Sequence, residues 1–351
     1  MAKEPSSAKL ASLHDGGLSY AAIASETGLS WDAVRDRIRR HRRKEQHSGK
    51  GRKPDDGAEI AFDLPDEFDL EEALDIADRL QAMMDMIDPI ITSVEVRFPP
   101  KPVAVMFSSC AHIGGRYTWY KALRETFDRL EATERLYVGL LGDEVEGFLP
   151  GFRDAEAVTN QVLPLKVQRA VLASYLKRWA GAGKVLFGCH SQHGGQWYEQ
   201  AVGLNPIKEE FQKARTPFFD GRGLVKMQVG DQAYILAVAH SFKGSSIYNP
   251  NHPQRRASLF DYPSADVVAQ GDKHRYAAQN MSDRVEEYHA GLRPSPLIWH
   301  VQAGTAKTGA DKYTIRGWQR GWLEWPVLVF YPDRHVVKQA FELKDLDYLL
   351  K

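Results

Sequence analysis

The sequence predicts an α/β protein preceded by a small all-α unit, and three observations carry that reading. Apolar runs of strand length recur along the chain: VAVMFSS from 103, LYVGLL from 136, VLFGC from 185, YILAVA from 234 and ADVVAQG from 265. Runs that are polar only at their ends read as strands buried on both faces of a sheet. An amphipathic stretch, TWYKALRETFDRLEA, joins the first two as a βαβ step. Residues 7 to 44 show helical spacing and no such run.

The 351 residues suffice for one large core and one smaller module. Lys and Arg number 46, as do Asp and Glu, so the overall charge excludes nothing and only its distribution is informative. No apolar run approaches the ~18 residues of a membrane span, and MAKEPSSAKL is too polar for a signal peptide. A cytoplasmic protein with no membrane partner is expected.

Residues 1–46 read as a helix-turn-helix unit. Ala21, Ile23, Ala24, Leu29, Val34 and Ile38 fit a small three-helix core, with Gly28 in the turn and Ser30 capping the last helix. That helix would be the reader. Trp31, Arg35, Arg39, Arg40, Arg42, Arg43 and Lys44 are the candidate nucleic-acid-binding residues, and residues 1–53 carry 12 Lys and Arg against 6 Asp and Glu. DNA is therefore the expected partner, against a protein-interaction module with a solvated basic face.

Residues 47–66 mix Gly, Pro and both charges without periodicity and read as a flexible linker. Residues 67–94 read as an acidic helix with Leu70, Leu74, Ala77, Leu80, Met84 and Ile87 on one stripe. An ordinary packing helix is the plainest reading; pairing of two subunits stays open. Residues 95–351 form the α/β domain, with one long helix expected from about 154 to 180, a long loop at 241–256, and three closing strands completing a second sheet.

Candidate chemistry sits at strand ends, where open α/β sheets bind ligands. The five runs lead into Cys110-Ala-His112, Gly142-Asp143-Glu-Val-Glu146, Cys189-His190, His240, and Gly271-Asp272-Lys-His274. Residues i and i+2 of an extended segment can face one ion together. Both cysteines of the chain fall on these positions, which in a cytosolic setting suggests metal binding or catalysis more than a structural staple.

In this order the motifs resemble those of the calcineurin-like metallophosphoesterases, D-x-H, GD-x-x-[DE], GNH, a lone His and GH-x-H. Cys110, Cys189 and Asp272 stand where that pattern has Asp, Asn and His. The resemblance covers roughly residues 100–342 and implies a two-sheet sandwich flanked by helices. It implies one metal on Cys110, His112, Asp143 and His274, and a second on Asp143, Cys189, His240 and Asp272. It also implies His190 at the phosphate, as stabiliser or acid, and Glu146 in an orienting role. His193 is a rival to His190, which keeps the family spacing.

Two divalent ions would then activate a bridging hydroxide for in-line phosphoester hydrolysis, and thiolate ligands tilt the metal towards Mn, Zn or Fe. With a DNA reader attached, the expected function is a DNA nuclease. The alternatives are a small-molecule phosphatase or cyclic-nucleotide phosphodiesterase, and a DNA-binding regulator whose metal domain is inactive.

Overall fold

Every residue from Val103 to Ser108 is buried, and in the computed structural model this run forms one strand of a two-sheet sandwich. The structure describes residues 5–48, 70–149, 158–282, 284–310 and 323–351, with side chains up to residue 42 in the first stretch. The chain divides into two compact units between Pro89 and Ile90. Among the described residues, no helix is long and apolar enough to cross a membrane.

The first unit contains α1 (Ser7–Asp15), α2 (Tyr20–Thr27), α3 (Trp31–Ser48) and α4 (Leu70–Ile87). Ser6, Ser19 and Ser30 each accept a backbone N–H three residues on, which satisfies a donor the helix itself leaves open. Gly28, at φ 69°, closes α2 in the left-handed region that glycine enters without strain. Leu10, Tyr20, Ile23, Val34 and Ile38 make the small core between the first three helices. Of the expected linker, residues 49–66 lie outside the described residues.

Among the described residues the second unit has twelve strands in two mixed sheets. One runs β1 (Ser93–Phe98), β6 (Arg222–Val229), β7 (Gln232–Ala239), β8 (Val267–Gln270), β10 (Ile298–Gln302), β9 (Ala277–Met281). The other runs β12 (Val337–Ala340), β11 (Val327–Phe330), β2 (Val103–Ser108), β3 (Leu136–Leu140), β4 (Val185–Cys189), β5 (Phe218–Phe219). Strands β2 to β5 are parallel, and β7, β8 and β10 are parallel in the facing sheet. Phe107, Val138 and Phe187 from one sheet and Met227, Tyr234 and Leu236 from the other belong to a single buried cluster. Helix α5 (Tyr120–Ala132) makes the expected crossover between β2 and β3, placing Leu123, Phe127 and Leu130 in the core.

Four expectations about elements are corrected. β1 starts at Ser93 and pairs in register with β6, so the sandwich begins before residue 95 and the acidic helix ends at Ile87. The long helix, α6 (Leu165–Gly181), starts only after Pro164, which disfavours helical backbone in the residue before it; residues 150–157 are outside the described set. The 241–256 loop is shortened by a helix, His252–Phe260, with Pro253 in its first turn, where a missing N–H costs nothing. The three closing strands split between the sheets: β10 joins β8, while β11 and β12 extend the sheet of β2.

Candidate metal centre

The parallel strands of both sheets deliver their carboxyl ends to one place. β2 leads to Cys110 and His112, β3 to Asp143, β7 to His240, and β8 to Asp272 and His274. The backbone there is unusual. Among the described residues seven non-glycine residues have positive φ, and five of them are Cys110, His112, Asp143, Asp272 and His274, at 47–69°. Each such residue costs on the order of 1–3 kcal/mol, so the surrounding fold must hold it. Hydrogen bonds supply the hold: Cys110 N–H donates to Gly142 O (2.9 Å) and His112 N–H to Asp143 O (3.0 Å), tying the two loops together.

Two groups of ligand-type side chains result. The donor atoms of Cys110, His112 and His274 all lie within 4.8 Å of one another, and so do those of His112, Asp143 and His193. Nε2 of His112 and Nε2 of His274 are 3.1 Å apart. His240 donates Nδ1–H to the carbonyl of Leu141 (2.7 Å), which turns Nε2 towards the site. That Nε2 stands 3.3 Å from Oδ2 of Asp143 without hydrogen-bond alignment, and 4.0 Å from Oδ1 of Asp272.

His193 is fixed in the same way, its Nδ1–H on the carbonyl of Glu146 (2.6 Å), with Phe148 and Trp197 beside the ring. Its backbone N–H donates to Oδ1 of Asp143 (3.0 Å), and its Nε2 is 3.9 Å from Oδ2. Oε2 of Glu146 lies 2.8 Å from Nδ1 of His112, off the line of a hydrogen bond, while Oε1 accepts from Lys307 Nζ at 3.0 Å.

The electrostatics follow from burial and these neighbours. Burial alone would raise Asp143, but His240, His193 and His112 hold its carboxyl well below the usual range. Burial, aided by Lys307, lowers His112 to about 4; burial with His112 and Lys307 beside it lowers His274 to about 3. Both are neutral donors near pH 7. Burial opposes charge on His240, yet Asp143 raises it to about 9. Burial and then Asp143 push the Cys110 thiol well up, so a thiolate there needs a cation beside it. Thiol, neutral imidazole and carboxylate converging with an unsatisfied buried nitrogen fit a divalent transition-type ion.

Two sequence expectations differ from the structure. Cys189 is the last residue of β4, paired with Phe219 and packed in the main core, and it joins neither group. His190 N–H donates to Phe219 O, which extends the sheet pairing, and its Nε2 is 2.9 Å from Glu199. The chain therefore leaves the sheet after His190, so the side chains that reach Asp143 are Ser191, whose Oγ accepts Asp143 N–H at 2.8 Å, and His193. Asp272 sits at the rim, accepting from Ser241 and Lys273. Lys307 was not anticipated; it lies in a loop after β10 with no periodic signal.

In α3, Trp31 packs on the small core and Arg35 lies over its ring while pairing with Asp32 and Asp36. Arg42 pairs with Asp15 at 2.6 Å. Arg39 and Arg40 are exposed, with Arg40 Nε donating to Asp36 O. The side chains of Arg43 and Lys44 lie outside the described set.

No protein-family model matches this chain, and no curated protein matches it. Among solved structures it is similar to a conserved uncharacterized protein, a predicted phosphoesterase, from Streptococcus pneumoniae TIGR4, at 11% identity over 69% of this chain and 98% of that one, with a TM-score of 0.29. It is also similar to a metallophosphoesterase from Sphaerobacter thermophilus, at 16% identity over 70% of this chain and 92% of that one, with a TM-score of 0.27. Both TM-scores are too low for either likeness to bear on the reaction.

Proposed function

We propose that the chain is a metal-dependent phosphoesterase of the calcineurin-like type, acting on the phosphodiester backbone of DNA. The observation that carries this reading is the convergence of Cys110, His112, Asp143, His240 and His274 at the carboxyl ends of strands from both sheets, most of them in strained backbone. Cys110, His112 and His274 would hold one divalent ion, and His193 and His240 a second, with Asp143 shared between them and Asp272 at its edge. Divalent ions held there would supply a water of lowered pKa and neutralise charge on phosphoryl oxygens.

The remaining work falls to the chain's own groups. Glu146 orients His112 and pairs with Lys307, whose ammonium adds positive charge near the histidines. His193, held by its Nδ1–H, presents Nε2 into the site, where it can bind an ion or take a proton.

The DNA part of the reading rests on the first unit. Its three capped helices leave α3 with exposed Arg39 and Arg40, and the exposed Arg42–Asp15 pair is worth only about 0–1 kcal/mol, so a phosphate can replace the aspartate cheaply.

The test compares metal content and Mn-dependent hydrolysis of DNA and of a chromogenic phosphodiester for wild type, Asp143→Asn, and Arg39→Glu with Arg40→Glu. Loss of bound metal and of both reactions in the first variant, with loss of only the DNA reaction in the second, is expected. No bound metal and no hydrolysis by wild type would remove the enzyme reading.

A further inference from the structure

Helix α4 carries an apolar face that the described residues of its own unit do not cover. Counting Leu70 as position a of a heptad, Ala77 and Met84 take the following a positions, and Ala73, Leu80 and Ile87 take d. The flanking e and g positions are Leu74, Gln81, Ile76 and Met83, so the whole seam and both its borders are free of charge. All the charged residues of the helix, Glu71, Glu72, Asp75, Asp78, Arg79 and Asp85, fall on b, c and f. Spacing of this kind is how a helix meets another helix of the same repeat.

The faces are also used differently. Leu70, Leu74, Leu80, Met84 and Ile87 are 52–69% exposed. Glu72 and Asp75, on the opposite side, are half-buried, and the Arg79 guanidinium lies 4.7 Å over the ring of Trp31. Within its unit the helix thus turns its polar face towards the three-helix core and, among the described residues, leaves the apolar one without a partner.

From this we infer that α4 pairs with α4 of a second copy of this chain. Charge placement selects that occupant. A basic partner would need acids along the borders of the seam, and the borders have none. Two copies of this net-acidic helix, by contrast, meet without like charges facing each other, because every acid points outward. A surface complementary to itself closes with two-fold symmetry. The pair would bring two copies of α3 and two metal centres into one particle, the arrangement that reads two half-sites on a duplex. The pairing itself does not depend on the activity proposed above.

The experiment is sedimentation of the full chain at about 1–50 μM, a range that resolves micromolar association. Wild type is expected at twice the mass of one chain, and Leu80→Glu with Met84→Glu at the mass of one, with metal content unchanged. Cysteine pairs give a second readout, since both native cysteines are buried. Leu80→Cys should cross-link two chains on mild oxidation at least ten times faster than Asp78→Cys. Wild type at single-chain mass throughout, a double variant that stays paired, or equal cross-linking by the two cysteines overturns the inference. A single-chain wild type whose double variant melts lower would assign the face to the chain's own second unit instead.

Discussion

Nδ1 of His112 and Oε2 of Glu146 lie 2.8 Å apart, both fully or nearly fully buried, and the other oxygen of Glu146 is held by Lys307. A carboxylate behind a ligating imidazole fixes the ring and its tautomer and raises its basicity, an effect usually worth about 10–100-fold in metal affinity. Glu146→Ala should therefore weaken metal binding by about that factor. It should also lower stability, because it leaves the half-buried Lys307 without its acceptor. Glu146→Gln keeps a hydrogen-bonding oxygen and should lose less affinity. Titration of chelator-treated protein with Mn or Zn distinguishes the three; equal affinities would show that Glu146 plays no orienting part.

The two histidines after β4 should separate sharply. His193 contacts Asp143 through its backbone and faces it through its ring, whereas His190 pairs with Glu199 outside either group. His193→Ala should cut phosphodiester hydrolysis by about 100-fold or more, the scale of removing a proton-transfer or ligating group. His190→Ala should change it by no more than about 3-fold. The opposite ranking in steady-state rates would return the role to His190.

Much of this centre can be read from the sequence, for a physical reason. A buried parallel strand shows as an apolar run, and the first polar residues after it must stand where the sheets open, so Cys110, His112, Asp143, His240 and His274 are legible in order. Spacing alone misplaces the third motif. It assumes that β4 ends before Cys189, whereas pairing with β5 carries the strand through Cys189, ties down the N–H of His190 and turns the cysteine into core. Lys307 and the division of the last strands between two sheets depend on which distant segments meet, and no local pattern records that. The left-handed backbone at five candidate ligands is likewise invisible in the sequence, since Cys, His and Asp occupy the positions and no glycine marks them.

Gly142, just before Asp143, should tolerate no side chain. Its φ is +98°, and a Cβ would lie 2.5 Å from Cβ of Ser191 and 2.8 Å from Nδ1 of His240. Strained backbone plus overpacking predicts that Gly142→Ala lowers stability by about 2–4 kcal/mol and loosens His240. Gly181, at the end of α6 with open space around it, is the control: Gly181→Ala should be neutral or slightly stabilising. Denaturant melts of both variants check the contrast, and a Gly142→Ala protein as stable as wild type would mean that the loop adjusts freely.

His240 gives the metal-free protein a pH dependence of defined sign. Burial opposes its charge, but Asp143 beside it raises it to about 9, above the ordinary 6.5. A group raised on folding contributes stability that is complete below about pH 6.5 and is lost as the pH climbs through about 9. A divalent ion takes the place of the same proton, so metal affinity should rise over the window in which metal-free stability falls. Thermal melts of chelator-treated wild type between pH 6 and 9.5 should show a decline that His240→Gln lacks. Calorimetric metal titrations in two buffers of different ionisation enthalpy should report about one proton released from this residue at pH 7.5 in wild type and none from it in the variant. Identical pH profiles for the two proteins would show that Asp143 and His240 do not share a charge.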